Sequence, residues 1–120
     1  MTSFAAIPTI VTQLFSIAKT QGMPIILDCN VTSLPLPTIY WFKNGILLNQ
    51  NYMITLSTWK TFTTSRLTIN NSSVNDQGIY RCNGTNAFGS TVADVANVTI
   101  YSKYFYIFPE INISYIAFLN

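Results

Sequence analysis

The sequence predicts an all-β sandwich or barrel, and three observations predict it. Short stretches alternate apolar and polar residues with a period of two. Turn signals built from Gly, Pro, Asn and Asp separate those stretches, at Gln21-Gly22, Leu34-Pro35-Leu36-Pro37, Asn44-Gly45, Asn75-Asp76-Gln77-Gly78 and Phe88-Gly89. No segment carries a sustained 3.6-residue period, and β-branched and aromatic residues fill the alternating stretches.

Each element has its own signal. Residues 4–18 are mostly apolar, and Ser16-Ile17-Ala18 has the small-x-small spacing of a leader cleavage site. No Lys or Arg precedes that stretch, however, and Pro8, Thr12 and Gln13 interrupt it. It reads as two short edge strands, 9–11 and 14–18, with Pro8 tolerated at an edge. In residues 25–31 the apolar Ile25, Leu27, Cys29 and Val31 share one face, while Asp28 and Asn30 share the other. Ile39 and Trp41 point one way in residues 38–42. Asn44-Gly45, between apolar runs, is a two-residue hairpin turn, because both residues tolerate positive φ. The same alternation pairs Leu67 with Ile69, Tyr80 with Cys82, and Val98 with Ile100. The tail, residues 101–120, holds Tyr101, Tyr104, Phe105, Tyr106, Phe108, Tyr115 and Phe118, and its Pro109-Glu110-Ile111 echoes Pro8-Thr9-Ile10. It reads as a linker and the start of a truncated following repeat. Lys103 and Glu110 divide it, so no transmembrane helix is expected and this segment does not insert into a membrane.

Composition bounds the function. A chain of 120 residues suits one domain. With 49% hydrophobic and 14% aromatic residues it is not a disordered chain. Charged residues are only 8%, against about 25% in an average soluble domain. A scattered net charge of +2 gives no nucleic-acid surface. The absence of histidine removes any His-based triad, proton shuttle or His metal site. The acids Asp28, Asp76, Asp94 and Glu110 lie far apart in sequence, and the five glycines stand singly, so neither a local carboxylate pair nor a phosphate loop is present. Composition thus argues against an enzyme, and no cofactor or metal is expected.

Cys29 and Cys82 both fall at inward positions of predicted strands. They are either two buried reduced thiols or one bridge. A metal site needs more ligands than two thiols. A bridge, closing the loop from residue 29 to residue 82, would add about 4 kcal/mol in the chain-entropy account.

Cys29, Trp41 and the run Asp76-Gln77-Gly78-Ile79-Tyr80-Arg81-Cys82 together resemble an immunoglobulin domain. Further motifs resemble its intermediate, or I-set, type, found in adhesion molecules and receptors. These are Pro35-Leu36-Pro37-Thr38-Ile39-Tyr40 leading into the W-x-K-N-G run Trp41-Phe42-Lys43-Asn44-Gly45, the L-x-I strand Arg66-Leu67-Thr68-Ile69-Asn70, and Cys82-Asn83-Gly84-Thr85-Asn86-Ala87-Phe88-Gly89, with Gly84 where the family usually has Ala. The resemblance covers about residues 8–100, leaving an N-terminal segment, 1–7, and the tail. It implies an immunoglobulin-like β-sandwich of two antiparallel sheets, joined by a Cys29–Cys82 disulfide. It also implies Trp41 lying against the bridge, Leu67 in the core, and a tyrosine corner at Tyr80 in the Asp76-x-Gly78-x-Tyr80 motif. Two departures carry expectations. The run from Gly89 to Val98 is one residue longer than is usual, which predicts a bulge. The family's Asp often pairs with an Arg near residues 52–57, where this chain has none. Asp76 therefore pairs with Lys60 or Arg66, or only holds its own turn.

Six Asn-x-Ser/Thr sequons occur, at Asn30, Asn70, Asn71, Asn83, Asn97 and Asn112. Asn30, Asn83 and Asn97 alternate with inward residues and are expected to face solvent. For Trp59 there are two readings: Trp59 or Phe62 covers the end of the sandwich, or an exposed Trp59 beside Lys60 anchors a protein partner. Lys43 and Arg81 are expected to face outward on the sheet that is the family's usual contact face. The resemblance and the sequons together imply an extracellular recognition module of an adhesion molecule or receptor, part of a longer multi-domain chain. Its partner would be a protein ligand or the same protein on another cell. The alternative is a structural module of an intracellular muscle or cytoskeletal protein, since the same domain type is common there.

Overall fold

The computed structural model describes residues 5–49, 51–102, 104–107 and 116–119. Two sheets face each other. Sheet one has the order β1-β3-β7-β6, built from β1 (Ala6–Ile10), β3 (Ile25–Leu34), β6 (Met53–Trp59) and β7 (Phe62–Ile69). Sheet two has the order β2-β9-β8-β4-β5, built from β2 (Phe15–Thr20), β4 (Thr38–Lys43), β5 (Ile46–Leu47), β8 (Gly78–Asn86) and β9 (Gly89–Tyr101). A separate antiparallel pair, β10 (Tyr104–Ile107) with β11 (Ile116–Leu119), follows. The fold is the two-sheet immunoglobulin-like sandwich that the resemblance implied.

The period-two pattern explains the core. Ile25, Leu27, Cys29 and Val31 of β3 are all buried, and Trp41, Leu67, Tyr80, Val98 and Ile100 join them. Each fully buried aliphatic side chain contributes about 1.5–3 kcal/mol. Two ties then cross between the sheets side by side. Cys29 and Cys82 form a disulfide with Cα atoms 6.4 Å apart. Beside it, Trp41 Nε1 donates to Ser65 Oγ at 2.8 Å. Register places them together, since Trp41 lies opposite Cys82 and Ser65 lies opposite Cys29. The buried indole N–H is thus satisfied, and so is the buried serine.

The N-terminal strands differ in extent from the expected 9–11 and 14–18. β1 begins at Ala6 because Pro8 sits on an edge, where its missing N–H costs no ladder bond, and the register slips only between Ala6 and Thr9. β2 runs on to Thr20 because it pairs in parallel with β9, from Phe15 opposite Ala96 to Thr20 opposite Tyr101. The first two strands therefore close one edge of each sheet.

The turn at Asn44-Gly45 forms as expected, with φ of 50° and 82°, and sets Lys43 opposite Ile46. The extra residue is Val95, inside β9. Arg81 pairs with Asp94 while the adjacent Tyr80 pairs with Ala96, so the expected bulge lies there. It turns both Val95 and Ala96 inward, and both are fully buried. Gly84 has a packing reason as well. A Cβ there would meet Val31 Cγ1 at 3.0 Å and Cγ2 at 3.3 Å, with Pro8 Cβ at 3.6 Å. This chain has filled the space with Val31 and Pro8 in place of the family's alanine methyl.

Tyr80 makes the corner. Its hydroxyl donates to the Asp76 carbonyl oxygen at 2.6 Å. Burial, the first cause, and the charge of Asp76 and proximity of Tyr52, the lesser ones, push its phenol above the usual tyrosine range. The Asp76 carboxylate accepts from the Ser73 backbone N–H at 2.7 Å, inside the short 3-10 turn Val74–Asp76. Of the partners open to Asp76 in the sequence, its own turn is the one it takes. Arg66 instead forms a two-bond pair with Asp28, Nε to Oδ1 at 2.8 Å and Nη2 to Oδ2 at 2.9 Å, which raises the Arg66 pKa.

Candidate recognition face

The outward residues of sheet two form one surface, and cross-strand register gives its rows. One row is Leu47, Phe42, Arg81 and Asp94. The next is Tyr40, Asn83 and Val92. On the other side run Ile79, Asn97 and Ser16. Leu47, Tyr40, Ile79 and Val92 are exposed apolar or aromatic side chains on this face. At its centre Arg81 Nε meets Asp94 Oδ1 at 2.7 Å, with side chains 46% and 37% exposed. Such a pair stabilises the fold little. Its value is to hold a guanidinium among apolar groups, the mix that protein interfaces favour. The Val95 bulge keeps Asp94 on this side, opposite Arg81.

The sequence-predicted site residues do not all meet here. Arg81 faces outward as expected and sits at the centre. Lys43 does not face outward here, which corrects that expectation: it lies opposite buried Tyr80, on Trp41's side of β4 at the end of the strand, and its Nζ donates to the Asn75 carbonyl. Trp59 is on the other sheet, at the β6–β7 turn, and is 66% exposed with Lys60 Nζ 4.5 Å from its ring centroid. Phe62, opposite it, is also exposed. Neither ring covers the end of the sandwich, which corrects that reading. The turn at Lys60-Thr61 is tight, with Lys60 at a positive φ of 56°, and directs both rings onto the outer face of sheet one.

The sequons divide three ways. Asn70, Asn71 and Asn97 are exposed. Asn30 and Asn83 are only half-exposed, contrary to simple alternation. The Asn30 amide is held by Thr64, whose Oγ1 donates to Asn30 Oδ1 at 2.8 Å. Asn83 Oδ1 is buried without a hydrogen-bond partner, in the row between Tyr40 and Val92. Asn112 lies outside the described residues.

Sequence reasoning missed Tyr40, Phe42, Leu47, Ile79, Val92 and Asp94. A signal existed for some of them: on strands whose odd or even positions are core, the alternate positions carry the outer face. Asp94 gave none, because the bulge moves it. Among the described residues no group of three His, Cys, Asp or Glu is placed to hold a metal, and no helix is long and apolar enough to cross a membrane.

Comparison with known proteins agrees with this architecture. A family model described as Immunoglobulin I-set domain matches residues 8–100. The Titin homolog of Caenorhabditis elegans is 36% identical over 83 residues, 68% of this chain and, to the nearest percent, 0% of that protein. Contactin-5 of Gallus gallus is 33% identical over 85 residues, 71% of this chain and 8% of that one. The chain therefore spans less than a tenth of either relative. Among solved structures, titin domain M7 is 27% identical with a TM-score of 0.69, covering 82% of this chain and 98% of that one.

Proposed function

Because the chain belongs to the immunoglobulin I-set family, we propose that it is a non-catalytic protein-recognition module of an extracellular adhesion molecule or cell-surface receptor, one of several modules in a longer chain. The observation that carries this reading is the Cys29–Cys82 bridge, which needs an oxidising compartment to form and persist. Exposed sequons at Asn70 and Asn71 support the same compartment, and likeness to Contactin-5 supports the adhesion class. Recognition runs through the outer face of sheet two, with Tyr40, Phe42, Leu47 and Val92 supplying apolar contact around Arg81. The partner is a protein surface, on another chain or on a second copy of this one.

Likeness to the Titin homolog favours a second reading, a structural module of a muscle protein inside the cell. Intact mass of the protein from its native source decides between them. The first reading expects a mass that falls on N-deglycosylation, and two thiols that appear only after reduction. Bare asparagines with two free thiols would overturn it in favour of the second.

A further inference from the structure

The outer face of sheet one is polar in its middle rows, with exposed Ile26 and Met53 at one end. Register gives its rows as Ile26, Thr68 and Met53, then Asp28, Arg66 and Thr55, then Asn30, Thr64 and Ser57, then Thr32, Phe62 and Trp59. Only the last row carries aromatic rings. Trp59 and Phe62 stand directly opposite each other across the hairpin, 66% and 43% exposed, and no element among the described residues covers them.

Next to that row lies Asn30, of the sequon Asn30-Val31-Thr32. It is the diagonal neighbour of Phe62, on the same face. Diagonal neighbours across a strand pair lie about 7–8 Å apart, within reach of a long side chain or its attached group. The Thr64 hydroxyl engages Asn30 Oδ1, which orients the amide and leaves the sugar-bearing atom, Nδ2, on its other branch. Asn83 also faces a ring, Tyr40, but there the amide is sunk into the face with Oδ1 buried.

We propose that Asn30 carries an N-linked glycan whose first N-acetylglucosamine lies across the Phe62–Trp59 ring pair. A pyranose presents a face of C–H groups with partial positive charge, which complements the negative face of an aromatic ring. Its hydroxyls then sit beside Thr32, Ser57 and Thr64. The covalent link holds the sugar at high effective concentration, so a weak contact suffices. Trp59 is then covered by the chain's own sugar and is not an anchor for a protein partner. This proposal rests on the extracellular reading above.

The test uses the full chain secreted from a eukaryotic host, trimmed to one N-acetylglucosamine at each occupied site. It is compared with Asn30→Gln and with Phe62→Thr, which keeps the sequon. Trp41 is buried, so acrylamide quenching of tryptophan fluorescence reports on Trp59. The expected result is sugar at Asn30, stronger quenching in Asn30→Gln, and a melting temperature lower by about 4 °C. With Phe62→Thr already present, loss of the sugar should change both readouts much less. Sugar at Asn70, Asn71 or Asn97 with Asn30 bare would overturn this proposal and leave the extracellular reading standing. So would an occupied Asn30 whose removal leaves quenching unchanged. No sugar at any site, with free thiols in the native source, would overturn both.

Discussion

The two outer faces of the sandwich share one core and differ in nearly everything else. Sheet one shows solvent hydroxyls and amides in its middle rows, braced by the Arg66–Asp28 pair, with Ile26 and Met53 at one end and aromatic rings at the β6–β7 end. Sheet two shows Tyr40, Leu47, Ile79 and Val92 around the Arg81–Asp94 pair. The core constrains every second residue of each strand, because those positions must fill the space between the sheets. The intervening positions are free of that demand, so a difference between them reflects what each face meets. A polar lattice suits water and sugar, whereas an apolar surface centred on an arginine suits another protein.

The largest expected effect is on what the two faces share. Replacing both cysteines, Cys29→Ala with Cys82→Ala, should cost about 2–5 kcal/mol, read as a fall in the urea midpoint, and should weaken both faces together. Stoichiometric labelling of both thiols in the folded wild type would break this expectation.

A smaller effect should be confined to one face. Tyr40→Ser and Arg81→Ala should each weaken partner binding by about tenfold or more while changing stability by about 0.5 kcal/mol or less. The matched change on the other face, Arg66→Gln, should leave binding unaltered. If Arg66→Gln weakens binding as much as Arg81→Ala, the assignment of faces is wrong.

Tyr80→Phe tests the frame beneath sheet two. Losing the hydroxyl that donates to Asp76 leaves a carbonyl unpaired and should cost about 1–2 kcal/mol. There is a pH signature as well. Because the folded Tyr80 phenol titrates higher than the unfolded one, its proton is held more tightly in the folded state. That stability is fully present below the ordinary tyrosine pKa of about 10 and is lost as pH rises above it. The wild type should therefore lose more stability than Tyr80→Phe on going above about pH 10. Parallel alkaline profiles would contradict the corner.

The smallest effect is a near absence. With no histidine and both cysteines in the bridge, no side-chain type present ordinarily titrates between about pH 5 and 8. Urea midpoints should stay flat from about pH 5.5 to 7.5, and binding should too unless the partner supplies the titrating group. A drift of more than about 1 kcal/mol would expose a strongly perturbed carboxylate.

The frame was far more legible in the sequence than the faces. Cys29, Trp41, Tyr80 and Cys82 announce their roles through the resemblance to an immunoglobulin domain, and Asn44-Gly45 announces its turn through the positive φ it tolerates. The extra residue before Val98 signalled a bulge, but only the register located it at Val95. The face proposed for recognition was scarcely legible, since the core does not fix its residues. Trp59 and Phe62 were misjudged because nothing local says that Lys60 adopts positive φ and turns both rings outward. Asn30 and Asn83 looked alike by alternation, and only their neighbours, Thr64 and Tyr40, tell them apart.

The division of labour between the faces is tested most directly by site-resolved glycopeptide mass spectrometry on protein from its native source. The account predicts sugar on the polar face at Asn30 and a bare Asn83, because Asn83 sits between Tyr40 and Val92 and a glycan there would cover the recognition face. High occupancy at Asn83 would contradict it, since the apolar face would then be shielded and recognition would have to run elsewhere.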